Sequence, residues 1–180
     1  MNNNSRRLTK LPAADSGFVL FGALMMLILL TMLGLTMANS FGLQEFIAGN
    51  QREKTKAFEA ADAALNYAEW WLNQPGNAIM GANCSGVVNA PIVCSNALDA
   101  ASVATVNWTA GGNAVGSTYT PTNMTISTTG GIGSYYAVPK YYIYYLGASP
   151  NTGNYMYQIT ALGYGGNANA VAVVQSIFQF

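Results

Sequence analysis

The chain has 180 residues, only 8% of them charged, and the formal charges cancel. A neutral, charge-poor chain offers no positive field to hold phosphates, so nucleic-acid binding is not expected. His is absent altogether, which removes the commonest general base and the commonest zinc ligand, and no cofactor or metal is expected.

A short basic leader comes first, with Arg6, Arg7 and Lys10 opposed only by Asp15. Then SGFVLFGALMMLILLTMLGLTMANSF, Ser16 to Phe41, carries no charge. From Phe18 to Ala38 about 21 residues would span ~31 Å as a helix, the thickness of a bilayer's hydrocarbon core. A secretory signal has a shorter apolar region, roughly 7–15 residues, closed by a small-residue cleavage site. No such site ends this run. The text continues NSFGLQEFIAGNQREKTKAFEAADAALNYAEWWLNQ without proline, and Phe58, Ala61, Leu65, Ala68 and Leu72 recur at steps of three and four. That spacing marks one face of a helix, which Pro75 and Gly76 stop. An apolar and an amphipathic half are therefore expected to form one helix of ~80 Å. Residues 18–38 form the transmembrane half and 39–74 the continuation.

The basic leader places the amino terminus in the cytoplasm and the rest of the chain outside. Glu45, Arg52, Glu53, Lys54, Lys56, Glu59, Asp62 and Glu69 read as a solvated helix face. The pair Lys56 and Glu59, three apart, contributes only a few tenths of a kcal/mol. Gly22, Gly34, Gly42 and Gly49 each weaken a helix interior by about 1 kcal/mol relative to Ala. They suit close helix–helix approach in lipid, a section soft enough to unwind, or ordinary tolerance of glycine in membrane helices.

Beyond Pro75 the composition changes, and residues 75–180 are expected to form an extracytoplasmic globular domain. Cys84 and Cys94, with Gly86 and Pro91 between them, are expected to form a disulfide in an exported chain. Such a short closed loop contributes ~2–3 kcal/mol through the unfolded state. Two free thiols are the alternative. Asn, Gly, Ser and Thr punctuate 76–133 as long loops, with ATVNWTA at 104–110 and MTIST at 124–128 as weak strand candidates. SYYAVPKYYIYYLG, NYMYQITALGYG and AVAVVQSIFQF are clearer strands, the first split by Pro139 at an edge or bend. Asn151, Gly153 and the Gly163–Gly166 cluster supply reversals for an antiparallel meander. One face of it would cover a stripe of Phe58, Leu65, Trp71 and Leu72. The expected class is α+β, a long N-terminal α-helix packed on a C-terminal antiparallel β-sheet. The tyrosines Tyr135, Tyr136, Tyr141, Tyr142, Tyr144 and Tyr145 alternate between the two faces of a strand. That alternation favours core and cross-strand packing over a sugar- or base-stacking platform.

A basic leader, then Gly17-Phe18, then an unbroken apolar helix resembles the class III signal of type IV pilins and type II secretion pseudopilins. LQEFIAGNQREKTKAFEAADAAL, Leu43 to Leu65, is similar to the E-x-M-A-G-N … A-F-Q-A-A-E-A-A-L stretch of PilX-type minor pilins, with Ile47 for Met and Asp62 for Glu. YQITALGYGGNANAVAVVQSIFQF, Tyr157 to Phe180, resembles the Y-x-I-T-A-x-G … A-x-V-x-L-Q-S ending of the same proteins. The resemblance implies a pilin-like fold. It also implies a leader, 1–17, that prepilin peptidase cuts after Gly17, with Phe18 as the methylated first residue of the mature chain. The apolar helix is then kept, first in the bacterial inner membrane and later in the core of a surface filament. The implied partners are other minor and major pilins, the prepilin peptidase, the inner-membrane assembly platform and a tip adhesin. Most major pilins carry a glutamate five residues into the mature chain, where this chain has Gly22. An unpaired carboxylate in a bilayer is costly, and in the family it pairs with the amino terminus of the neighbouring subunit. A subunit without it fits a position with no predecessor, at the filament tip.

Three functions follow as expectations. The first is a structural minor pilin that initiates or caps a type IV pilus. The second is a type II secretion pseudopilin. The third, a membrane-anchored periplasmic enzyme or binding domain, lacks support: Asp99, Lys140 and scattered Ser and Thr form no catalytic set, and a triad of the usual kind needs His.

Overall fold

A computed structural model describes residues 16–84, 88, 90–98, 116–131, 133–150 and 152–179. The basic leader, Gly86, Asp99 and the strand candidate at 104–110 lie outside the described residues. The order of elements is α1 (Ser16–Leu72), β1 (Val93–Cys94), β2 (Ser117–Thr118), β3 (Lys140–Ala148), β4 (Tyr155–Tyr164) and β5 (Val171–Gln179). The chain divides into two units, Met1–Phe46 and Ile47–Phe180.

In the second unit α1 ends where the sequence places its stop. Leu72 is its last residue and Gly76 follows in a left-handed conformation. The carbonyls orphaned at a helix end need partners, and side-chain amides supply them. Asn73 Nδ2 donates to Glu69 O at 3.1 Å, Gln74 Nε2 to Trp70 O at 3.1 Å and Asn77 Nδ2 to Trp71 O at 2.9 Å.

The expected meander is present. β3 pairs antiparallel with β4 and β4 with β5, in unbroken register from Tyr164↔Val171 to Met156↔Gln179. The β3–β4 reversal turns through Gly153, whose N–H donates to Ser149 O at 2.9 Å, while Ser149 N–H donates to Asn154 O at 2.7 Å; Asn151 lies outside the described residues. The β4–β5 turn is closed by the Asn167 side-chain oxygen, which accepts from the Asn169 and Ala170 N–H groups. Asx turns of this type need a short polar side chain at that position.

Two features differ from expectation. The sheet is mixed, because β1 runs parallel to β3 at Val93↔Ile143 and Cys94↔Tyr144. β2 pairs antiparallel further along the same edge, at Ser117↔Tyr141. Pro139 splits the first candidate as expected: Tyr135 makes only a bridge, Tyr136 and Ala137 bend, and β3 begins just after the buried Pro139, whose carbonyl accepts from Tyr119 N–H at 3.0 Å. A proline without an N–H is tolerated there because it starts the strand rather than interrupting its ladder. The segment 124–128 makes a single bridge, Ile126↔Tyr135, instead of a strand.

The core lies between the 47–72 part of α1 and one face of β3–β4–β5. Ala64, Leu65, Ala68 and Leu72 meet Tyr141, Ile143, Tyr157, Ile159 and Ala161 there, with Trp71, Val174 and Phe178 packed at the border. Phe58, expected in the buried stripe, is 54% exposed. A spacing of seven drifts about 20° per repeat around a 3.6-residue helix, so Leu72, Leu65 and Phe58 walk off the face. Ala57 and Ala61, both fully buried, take the covered positions.

Candidate functional site

Of the described residues in the first unit, Phe18 to Met37 form a helical segment whose large side chains are all open. Their exposure runs from 44% at Ile28 to 79% at Phe18. This is the one helix among the described residues long and apolar enough to cross a membrane. Its few hydroxyls are satisfied within the helix: Thr31 Oγ1 donates to Ile28 O at 2.8 Å, Thr36 Oγ1 to Leu33 O at 2.9 Å and Ser40 Oγ to Thr36 O at 3.0 Å. A segment bound for hydrocarbon must meet its hydrogen bonds internally, and this one does. Gly17 and Phe18 stand near the start of α1. A Cβ placed on Gly22, Gly34 or Gly42 would meet no atom within 4 Å, so nothing in the described chain requires glycine there. Exposure of such a run to water costs tens of kcal/mol at ~25 cal/mol per Å², so by length and composition this surface suits lipid or other apolar helices.

In the second unit the two blocks that carry the resemblance pack on each other. Ala57, Ala60, Ala61, Ala64 and Ala68 form a smooth small-residue face. The end of β4 presses into it so closely that a Cβ on Gly163 would overlap the Ala57 carbonyl and lie 2.9 Å from Ala60 Cβ. A Cβ on Gly165 would lie 3.1 Å from the Glu53 carbonyl carbon. The glycines at 163 and 165 thus admit helix backbone, a role beyond the chain reversal expected of them.

The charges beside this face correct the expectation of a uniformly solvated surface. Glu53 Oε2 accepts from Gly166 N–H and pairs with Lys56 Nζ at 3.6 Å. Lys56 Nζ also donates to Ser134 O at 2.6 Å and lies 5.0 Å from the centre of the Tyr135 ring. Lys54 Nζ donates to Val171 O at 2.9 Å, and Ser176 Oγ donates to Glu69 Oε1 at 2.7 Å. Lys56 therefore pairs with Glu53 and not, as expected, with Glu59. A signal for this was present: Glu53 precedes Ala57 by four residues and so sits on the buried stripe, where a charge needs a partner inside the fold.

Cys84 and Cys94 form a disulfide, their Cα atoms 5.4 Å apart. Asn96 clips the same loop: Cys84 N–H donates to Asn96 Oδ1 at 2.8 Å and Asn96 Nδ2 donates to Cys84 O at 3.0 Å. The tyrosines alternate as expected. Tyr141 and Tyr157 are buried against the helix, whereas Tyr142 packs with Cys94, Leu162 and Tyr164 on the other face. Burial, with the neighbouring Tyr145 and Tyr155, pushes the Tyr157 hydroxyl up to about 12, so it stays neutral and donates to Ile79 O at 3.3 Å. Lys140 is lowered from its usual value by burial. Among the described residues no three His, Cys, Asp or Glu side chains are grouped to hold a metal ion.

The chain thus combines a helix long and apolar enough to cross a membrane, a small-residue face locked to the last two strands, and a disulfide loop. Residues 16–66 match the family model PilX N-terminal, and residues 54–180 match the model Type IV pilus assembly protein PilX C-term. No curated protein and no solved structure matches. The second model alone spans well over half of the chain, and the chain belongs to the PilX family of type IV pilus assembly proteins.

Proposed function

We propose that this chain is a structural minor pilin that helps to initiate or cap a type IV pilus, at or near its tip. The observation that carries this reading is the apolar segment from Phe18 to Met37, which the described residues leave exposed. Prepilin peptidase removes residues 1–17 after Gly17 and methylates Phe18. The 18–38 segment is then held in the inner membrane, with residues 75–180 as the periplasmic domain. On assembly it exchanges lipid for the helices of other minor and major pilins in the filament core. Gly22, in place of an acidic residue, suits a subunit with no predecessor to neutralise, and Gly34 and Gly42 permit close helix contact. The inner-membrane assembly platform and a tip adhesin complete the partners.

Deletion of the gene tests this reading against a secretion role. Loss of surface pili and of pilus-dependent movement, with protein secretion intact, is the expected result. Intact pili with failed secretion would assign the chain to a type II secretion machine instead.

A further inference from the structure

The sheet face turned away from α1 carries a feature that assembly through the helix does not use. Two ladder rows cross β3, β4 and β5 there: Tyr142–Thr160–Gln175 and, beside it, Tyr144–Gln158–Ile177. With Ala97 and Leu98 as a wall, Tyr142, Tyr144, Gln158, Thr160 and Gln175 line an open cleft of about 190 Å³. Side chains two residues apart on a strand share a face, so the alternation that buries Tyr141 sends Tyr142 and Tyr144 into this cleft.

The cleft's chemistry is selective. No charged side chain lines it among the described residues, which disfavours phosphates, carboxylates and cations as ligands. Two of its polar groups are already fixed. The Tyr142 hydroxyl donates to Asn96 O at 2.8 Å, and Gln175 Nε2 donates to Thr160 Oγ1 at 3.0 Å. By the first, Tyr142, 4% exposed, is fixed as the floor of the cleft, and Tyr144 is the tyrosine open to a ligand. The second aims the Gln175 amide along the sheet. Gln158 lies in the next row, half-buried, and an amide offers donors and acceptors at once. A ligand matched to this set has an apolar flank to lie on tyrosine and leucine, and neutral groups that both donate and accept hydrogen bonds. Sugar rings have that combination, with C–H faces between hydroxyls. The volume is smaller than the usual range for drug-sized ligands, which suits one terminal sugar rather than an extended chain.

We propose that the Tyr142–Tyr144–Gln158–Gln175 cleft binds the terminal residue of a neutral saccharide. The cleft shares no residue with the seam between helix and sheet, so this proposal and the assembly reading fail or stand separately.

The test uses the full chain, labelled with a fluorophore, in phosphocholine micelles that carry no sugar headgroup. The chain is applied to printed neutral, sialylated and sulfated glycans, and free glucose, galactose and N-acetylglucosamine serve as competitors. Retention on neutral glycans, displaced by one of these monosaccharides, is expected. Gln158→Ala and Gln175→Ala should each weaken it about tenfold, the loss typical of a ligand hydrogen bond. Thr55→Ala, on the exposed surface of α1, should leave it unchanged. Near-ultraviolet circular dichroism establishes that each variant is folded, and Tyr144→Phe, which keeps the ring, provides a second variant with a smaller loss. No retention by the folded wild-type chain overturns the proposal, as does binding confined to anionic glycans or binding indifferent to both glutamine changes. Capture of neutral peptides through the same residues, without any saccharide, would assign the cleft to a polypeptide and equally overturn it.

Discussion

The two units treat small residues in opposite ways. Around Gly22, Gly34 and Gly42 there is open space, and the large side chains between them are exposed. Around Gly163 and Gly165 the backbone of α1 fills the space a side chain would need. Among the described residues one region is packed within the chain and the other is left exposed. A helix face left apolar and uncovered is stable only in lipid or against further helices. This PilX-family chain thus pairs a packed domain with a helix long and apolar enough to cross a membrane.

The same substitution should therefore act differently in the two regions. Gly163→Ala forces its Cβ into the Ala57–Ala61 backbone and should cost ~3 kcal/mol or more, because backbone on both sides must shift. Gly34→Ala should change the unfolding of the domain by less than ~0.5 kcal/mol. Thermal unfolding of the full chain in micelles, followed by near-ultraviolet circular dichroism, measures both. Equal effects would erase the distinction between the regions.

A second prediction separates covalent from non-covalent closure of the 84–94 loop. Cys84→Ser with Cys94→Ser should lower domain stability by ~2–3 kcal/mol, while the Asn96 clip keeps the loop's native fold. Adding Asn96→Ala should then release the loop, seen as new protease cleavage between residues 84 and 94. Cleavage already complete in the double serine variant would show that Asn96 holds nothing.

The smallest effect concerns Tyr141. Its hydroxyl is buried without a hydrogen-bond partner among the described residues, and Ser117 Oγ, in the adjoining strand, donates to Ala90 O at 2.8 Å. Removing an unsatisfied buried hydroxyl should not weaken the core. Tyr141→Phe is expected to leave stability unchanged or raise it by up to ~1 kcal/mol. A clear loss in thermal unfolding would mean that the hydroxyl has a partner.

The features legible in the sequence were those carried by large or punctuating residues. The uncharged run after Gly17, the stop at Pro75–Gly76, the three tyrosine- and valine-rich strands and the Cys84–Cys94 pair each have a local signature. The seam between helix and sheet was less legible. Its helix face is alanine, which contributes little to any apolar count, and so the larger Phe58 drew the expected stripe to the wrong side. The polar locks depend on partners far along the chain: Lys56 reaches across 78 residues, Glu53 across 113 and Lys54 across 117. Local pattern does not encode such distances. The parallel β1 is likewise positioned by contacts of the disulfide loop, where Ala82 N–H donates to Val93 O at 3.0 Å and Ser95 N–H to Ala82 O at 2.8 Å.

On the proposed function, the apolar helix is kept through maturation and carried from bilayer to filament. Mass spectrometry of the amino-terminal peptide, from pili and from membranes, tests it most directly. A chain beginning at a methylated Phe18 is expected in both. A mature form that begins beyond Ala38, released as a soluble domain, would contradict it.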